Sequence, residues 1–259
     1  MKITKLEYRR RHKIMDGKRR IKELSGLTVD EDGRFWTVSD SEETLFRLNR
    51  KFKLKKKVRP KPKLIQLEGI AAGPSKIGVV SEPGRFITLD IDTGKRKRFS
   101  KDLSDWIPAK ESEKGRKGIE GVCWRAADRK RDRAWVFVTE SPSHVLLLRL
   151  DRSVERLAKL NKRPGFKSSD DCSGIYWDAR RRVFWICSDR GKRVYLFDSK
   201  KRKLKSLKLR YKSKGDKIAV EKAEGVAVVG DRLFIAYDEE RKNKKNKAHY
   251  NFIYEYAIK

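Results

Sequence analysis

The chain has 259 residues, with 68 lysines and arginines against 36 aspartates and glutamates, giving a formal net charge of +32. A hydrophobic content of 37%, including 6 Trp, 8 Tyr and 11 Phe, excludes a disordered polycation, because so many aromatics supply a core able to order the chain. No apolar run approaches the roughly 18 residues of a membrane span, and the opening MKITKLEYRRRHK lacks the apolar stretch of a signal peptide, so the chain as written is expected to be soluble and cytoplasmic.

In chain order, the segment KITKLEYRR at 2–10 reads as a strand, and five related units follow it. They open with LSGLTVD at 24–30, LEGIAAG at 67–73, IEGVCWR at 119–125, CSGIYWD at 172–178 and AEGVAVV at 223–229. Their glycines, Gly26, Gly69, Gly121, Gly174 and Gly225, are separated by 43, 52, 53 and 51 residues. A second apolar strand follows each opening and ends in an acid: FWTVSD at Asp40, IGVVSE at Glu82, WVFVTE at Glu140, FWICSD at Asp189 and FIAYDE through Asp238. Third strands come at 44–49, 85–91, 144–150, 193–198 and 251–258. The first four units add a weaker fourth strand, as in KLKKKV at 53–58 and KLKSLKLRY at 203–211, where alternating basic residues suit an outer edge. Only SVERLAKL at 153–160 and DLSDWIPAK at 102–110 offer helical turns.

Four strands per unit at this spacing define the blade of a propeller, which cannot bury both faces without neighbours. The expected fold is all-β: a five-bladed β-propeller of four antiparallel strands per blade, forming one domain over 1–259. The fifth unit ends with three strands, so the N-terminal strand is expected to complete the last blade. Truncation of residues 1–12 would then expose an edge.

The [LIA]-[ES]-G-[LIV] openings, the [ST]-[DE] strand ends and the run Lys117-Gly118-Ile119-Glu120-Gly121 resemble the SdiA-regulated propeller family, which includes calcium-regulated β-propellers of bacterial envelopes. The resemblance covers residues 22–258. It implies a five-bladed, phytase-like propeller with bound calcium, usually exported, and mostly without an established reaction.

The residues themselves point to one end of the ring. The start of each inner strand and the end of its antiparallel neighbour share a face, which gathers Ser25, Glu68, Glu120, Ser173 and Glu224 with Asp40, Glu82, Glu140, Asp189 and Asp238. Where serine replaces glutamate, an acid stands two residues earlier, Glu23 or Asp171. Crowded carboxylates raise one another's pKa unless something positive intervenes. Oxygen-only donors without a His or Cys cluster suit a hard cation, and calcium accepts roughly 6–8 oxygens. The metal candidates are therefore Glu68, Glu120, Glu224, Asp40, Glu82, Glu140, Asp189 and Asp238. Two alternatives stand beside calcium: the acids accept backbone N–H bonds or pair with arginines such as Arg190 and Arg85, or two of them form a catalytic carboxylate pair. Lys117 and Lys222 are candidate counter-charges.

No nucleophile elbow, phosphate loop or dinucleotide fingerprint accompanies these acids. Cys123, Cys172 and Cys187, with His12, His144 and His249, show neither a disulfide framework nor zinc spacing, and Cys172 and Cys187 read as buried free thiols. Basic runs at 51–63, 95–101, 129–133, 200–217 and 241–247 fall mainly on outer strands and loops. They blunt strand edges and favour non-specific polyanion or nucleic-acid binding, while KKRK at 200–203 is similar to a nuclear import signal. The expected function is a monomeric calcium-binding and sensing module. The enzyme alternative is a calcium-dependent phosphoesterase, similar to phytases of this architecture, whose basic exterior draws phosphorylated small molecules to the metal.

Overall fold

The computed structural model describes the chain apart from residues 1–2, 62, 65, 82–83, 108–117, 128, 130–131, 168, 199–202, 214–215, 221 and 244–245; the side chains of 98, 203, 212–213, 216–219, 239–243 and 246–250 are likewise outside it. Strand β1 (Leu6–Lys13) and the short hairpin β2 (Met15–Asp16) and β3 (Arg19–Arg20) precede the repeats. The first blade is β4 (Leu24–Val29), β5 (Phe35–Ser39), β6 (Thr44–Leu48) and β7 (Leu54–Val58). The second is β8 (Leu67–Gly73), β9 (Lys76–Ser81), β10 (Arg85–Asp90) and β11 (Arg96–Asp102). The third is β12 (Ile119–Arg125), β13 (Ala134–Thr139), β14 (His144–Arg149) and β15 (Val154–Lys159). The fourth is β16 (Gly174–Asp178), β17 (Val183–Ser188), β18 (Arg193–Asp198) and β19 (Lys203–Lys208). A hairpin of β20 (Arg210–Ser213) and β21 (Asp216–Ala219) leads to the fifth, β22 (Ala223–Val229), β23 (Arg232–Asn243) and β24 (Asn246–Ile258). Strand β1 pairs antiparallel with β24, from Leu6 opposite Ile258 to Lys13 opposite Phe252, and so supplies the fourth strand of that blade.

The fold is thus a five-bladed β-propeller closed by its N-terminal strand, which lies at 6–13 rather than 2–10. Residues 4 and 5 instead bond Lys259, the Thr4 and Lys5 amides donating to its carbonyl at 2.5 and 3.2 Å. Among the described residues there is no α-helix. Of 153–160, Val154–Lys159 forms the edge strand β15, because pairing with β14 outweighs an apolar spacing that also fits a helix, and Leu160 opens a 3-10 turn, Leu160–Lys162. Of 102–110, Ser104–Trp106 forms one 3-10 turn. The last hairpin is longer than expected: it runs on past the Ala223–Tyr237 pair to Asn243 opposite Asn246.

The core consists of five layers, each between two neighbouring blades. Trp36, Leu45, Ile70 and Val79 fill the first-to-second interface, and Phe35, Phe46, Phe234 and Ile253 fill the fifth-to-first. Because both faces of a blade are covered, β5 and β13 are buried at every residue, whereas the outer β7 alternates.

At the axis the inner strands pack side by side in a closed ring, β4, β8, β12, β16 and β22. The repeat glycines make that approach possible. A Cβ added to Gly121 would lie 2.8 Å from Gly174 Cα, one on Gly174 would lie 2.9 Å from the Glu224 carbonyl oxygen, and one on Gly225 would lie 2.5 Å from the Leu27 nitrogen. Each glycine therefore sits where the next blade's backbone occupies side-chain space.

Candidate functional site: the acidic channel end

A bulge opens four of the five inner strands. The register skips between Leu67 and Gly69, Ile119 and Gly121, Ala223 and Gly225, and Ser25 and Leu27. In the second, third and fifth blades the extra residue is the motif glutamate. A bulge leaves its residue outside the ladder and re-aims the side chain, so Glu68, Glu120 and Glu224 remain only half-buried beside fully buried neighbours. The strand-end acids arrive at the same end: the Asp40, Glu140 and Asp238 amides donate to the carbonyls of Glu23, Gly118 and Lys222, which lead into the inner strands.

Four carboxylates of the third, fourth and fifth blades act electrostatically on a fifth, that of Glu224. Burial and then the negative charges of Asp189, Glu120, Asp238 and Asp171 hold the Glu224 carboxyl well above the ordinary carboxylate range. Glu68 and Asp40 share this end but belong to the second and first blades, and they are not among those strongest influences. Glu82 lies outside the described residues, as does Lys117.

Several of these acids are also tied down. Arg190 bridges two blades, with Nη2 3.3 Å from Glu140 Oε1 and Nε 3.6 Å from Asp171 Oδ2. Asp171 Oδ1 further accepts from Ser188 Oγ at 2.7 Å and the Arg190 amide at 3.2 Å. Asp189 accepts the Lys222 amide, so Lys222 contributes its backbone there. The Ser173 hydroxyl, in the motif-glutamate position, donates to the Ala223 carbonyl and joins the fourth blade to the fifth. Arg85 stands opposite Asp102 in the β10–β11 register. Asp170, which sequence reasoning passed over, accepts from Tyr195 and lies 3.5 Å from Arg193 Nε, anchoring the segment before β16; the doubled acid in SSDDCSG was its signal. Cys123, Cys172 and Cys187 are free and buried, and burial pushes their thiol pKa values up.

For a metal, the donors fit in chemistry: carboxylate oxygens with no soft ligand suit a hard cation. Among the described residues, however, no three His, Cys, Asp or Glu side chains already converge as a coordinating group. The arrangement is an acidic field, not a preformed cage.

These features define a five-bladed propeller with a carboxylate-lined channel end. The SdiA-regulated family model matches residues 3–236, and the chain belongs to that family. No curated protein matches the sequence. Among solved structures, glutaminyl cyclase of Myxococcus xanthus aligns with a TM-score of 0.62 at 12% identity, over 98% of this chain and 97% of its own. A streptogramin B lyase aligns at 0.52 and 11%, over 96% and 98%. The virginiamycin B lyase of Staphylococcus aureus aligns at 0.50 and 13%, over 91% and 80%. At such identities the likeness is one of fold.

Proposed function

We propose that the protein is a calcium-binding propeller acting as a binding and sensing module, with its ion taken at the acidic channel end. The observation that carries this reading is the gathering of Glu224, Glu120, Asp189, Asp238 and Asp171 in one field, within a chain whose net charge is +32. Mutual repulsion disfavours such a cluster unless a cation or a proton offsets it. Glu120, Glu224, Asp189 and Asp238 would hold the ion, with Glu68, Asp40, Glu82 and Glu140 completing the shell directly or through water. A bound calcium ion would supply the positive charge that offsets the repulsion among these carboxylates. Glu224 and Glu120 do the orienting, since their bulges fix the backbone from which each carboxylate reaches the channel.

Isothermal titration with calcium is the test. The wild type is expected to bind, and Glu120→Gln and Glu224→Gln are each expected to weaken binding by about tenfold or more, because affinity follows the ligand charge. Equal affinity in both variants would remove the reading. A panel of phosphoesters, assayed with calcium and with chelator, addresses the enzymatic alternative: chelator-sensitive turnover would make the protein a phosphoesterase.

A further inference from the structure

The inner strands end at the opposite mouth, and the sequence motifs give that mouth no role. A cavity of about 1050 Å³ opens there, walled by the last residues of β4, β8, β12 and β16 and the turns after them. It is large enough for a small organic ligand.

Its walls combine flat aromatic surface with four arginines, Arg125, Arg129, Arg133 and Arg182, set against the acids Asp30, Glu31 and Asp132. Trp124 and Trp177 line it and are only half-buried. Each is braced by a core ring: Trp124 by Trp135 at 4.9 Å between centroids, Trp177 by Phe184 at 4.7 Å. Such rings are held in place before any ligand arrives.

The charge arises from a reversal within the repeat. Four residues after the repeat glycine, the first and fourth blades carry Asp30 and Asp178. Each accepts an indole N–H, from Trp36 at 2.9 Å and Trp185 at 3.2 Å, and pairs with an arginine of the following turn, Arg34 or Arg181, at 2.8 Å. Those two aspartates are spent on closing their blades. In the third blade the same position is Arg125. Its guanidinium is oriented by the Asp132 backbone carbonyl, which accepts from Nε at 3.1 Å and Nη2 at 2.8 Å. Arg133 is likewise held by a carbonyl, that of Ala127, at 3.0 Å. A carbonyl positions a guanidinium without cancelling its charge. Burial, followed by the neighbouring Arg149, lowers the Arg125 pKa, against the opposing pull of Asp132 and Glu155. Arg129 and Arg182 add exposed charge at the rim.

We propose that this mouth binds a small planar aromatic anion, its ring against Trp124 and Trp177 and its carboxylate or phosphate on Arg125. Guanidinium groups match both anions geometrically, and aromatic faces accept planar rings and the cations around them. The site is separate from the acidic end and does not rest on calcium binding.

Adenosine monophosphate is the probe, with adenosine and inorganic phosphate as its two halves, followed by tryptophan fluorescence at about 0.15 M salt, where the Debye length is about 8 Å and exterior attraction is damped. The nucleotide is expected to change the fluorescence at saturation and to bind about tenfold or more tightly than either half, the loss expected when a charge-assisted bond or a stacked ring is removed. Arg125→Gln, and independently the exposed Arg182→Gln, should weaken it, whereas the exposed outer-strand variant Lys55→Gln should not. No binding of any of the three compounds, or equal weakening by Lys55→Gln, would overturn the proposal. Circular dichroism melts of each variant confirm that the fold is retained, and Arg182→Gln keeps the test open if Arg125→Gln does not fold.

Discussion

Deleting residues 1–13 should destabilise the protein by about 5 kcal/mol or more, from lost apolar burial and a buried carboxylate stripped of its partners, and so lower its melting temperature by roughly 10–20 °C. Ile3 is buried, and Leu6 and Tyr8 pack on the layer between the fourth and fifth blades, where Tyr8 meets Tyr211, Tyr254 and Tyr256 at 5.9–6.2 Å. Strand β1 also carries the partners of a buried acid. Glu255 is 4% exposed and is held by Arg10 at 2.9 Å and His12 at 2.8 Å, with Arg232 further off at 3.4 Å. Without β1, that carboxylate keeps one distant partner and β24 becomes an unpaired edge open to other chains. Thermal melts with light scattering read both consequences. A shift of only a degree or two, without aggregation, would mean that the β1–β24 pairing does not close the ring.

Gly225→Ala should cost roughly 3 kcal/mol, near the upper end for overpacking, because a Cβ has no side chain to push aside. It would lie 2.5 Å from both the Gly26 carbonyl carbon and the Leu27 nitrogen, which belong to the backbone of the first blade. Relief would require moving a whole blade outward from the axis. Gly17→Ala separates this effect from backbone strain: Gly17 has φ +62° and nothing within 4 Å, so its loss should be the conformational cost alone, about 1–2 kcal/mol. Denaturant unfolding of the two variants gives both values. Equal costs would show that the axis tolerates a methyl group and that the inner strands are less tightly apposed.

Blade number, blade order and N-terminal closure were legible because each unit repeats the same apolar strands at similar spacing, and because a fifth unit short of one strand must find it elsewhere. The boundaries of β1 and of the β23–β24 hairpin were not. Basic residues interrupt the apolar pattern of both segments, and the partner of β1 is hundreds of residues away. The acidic end was read from the motif ends; in the structure the charges of Asp189, Glu120 and Asp238 act on Glu224, while no three described acids converge as a coordinating group. The role of the glycines was hidden, since close approach between blades is a property of the ring and not of any one unit. The pairing of Arg190 with channel acids was legible too, whereas the tie that Ser173 makes between the fourth and fifth blades was not. The opposite mouth was hidden for a related reason: Arg125 gains meaning only when its position is matched to Asp30 and Asp178 and its walls are assembled from four blades.

The most direct test of a cation site among these carboxylates is the thermal stability of the wild type and Glu224→Gln, each in chelator and in calcium. Because the folded pKa of Glu224 is raised, ionising it costs stability in the fold: the penalty is absent below the unfolded value of about 4.3 and grows as the pH rises toward the folded value. In chelator at neutral pH the glutamine variant should therefore melt above the wild type, with the difference vanishing near pH 4. Calcium should raise the wild-type melting temperature, since it binds the folded ring and not the unfolded chain, and should raise that of the variant far less. A wild type indifferent to calcium, with a variant no more stable in chelator, would contradict the account and leave the acids as structural hydrogen-bond acceptors.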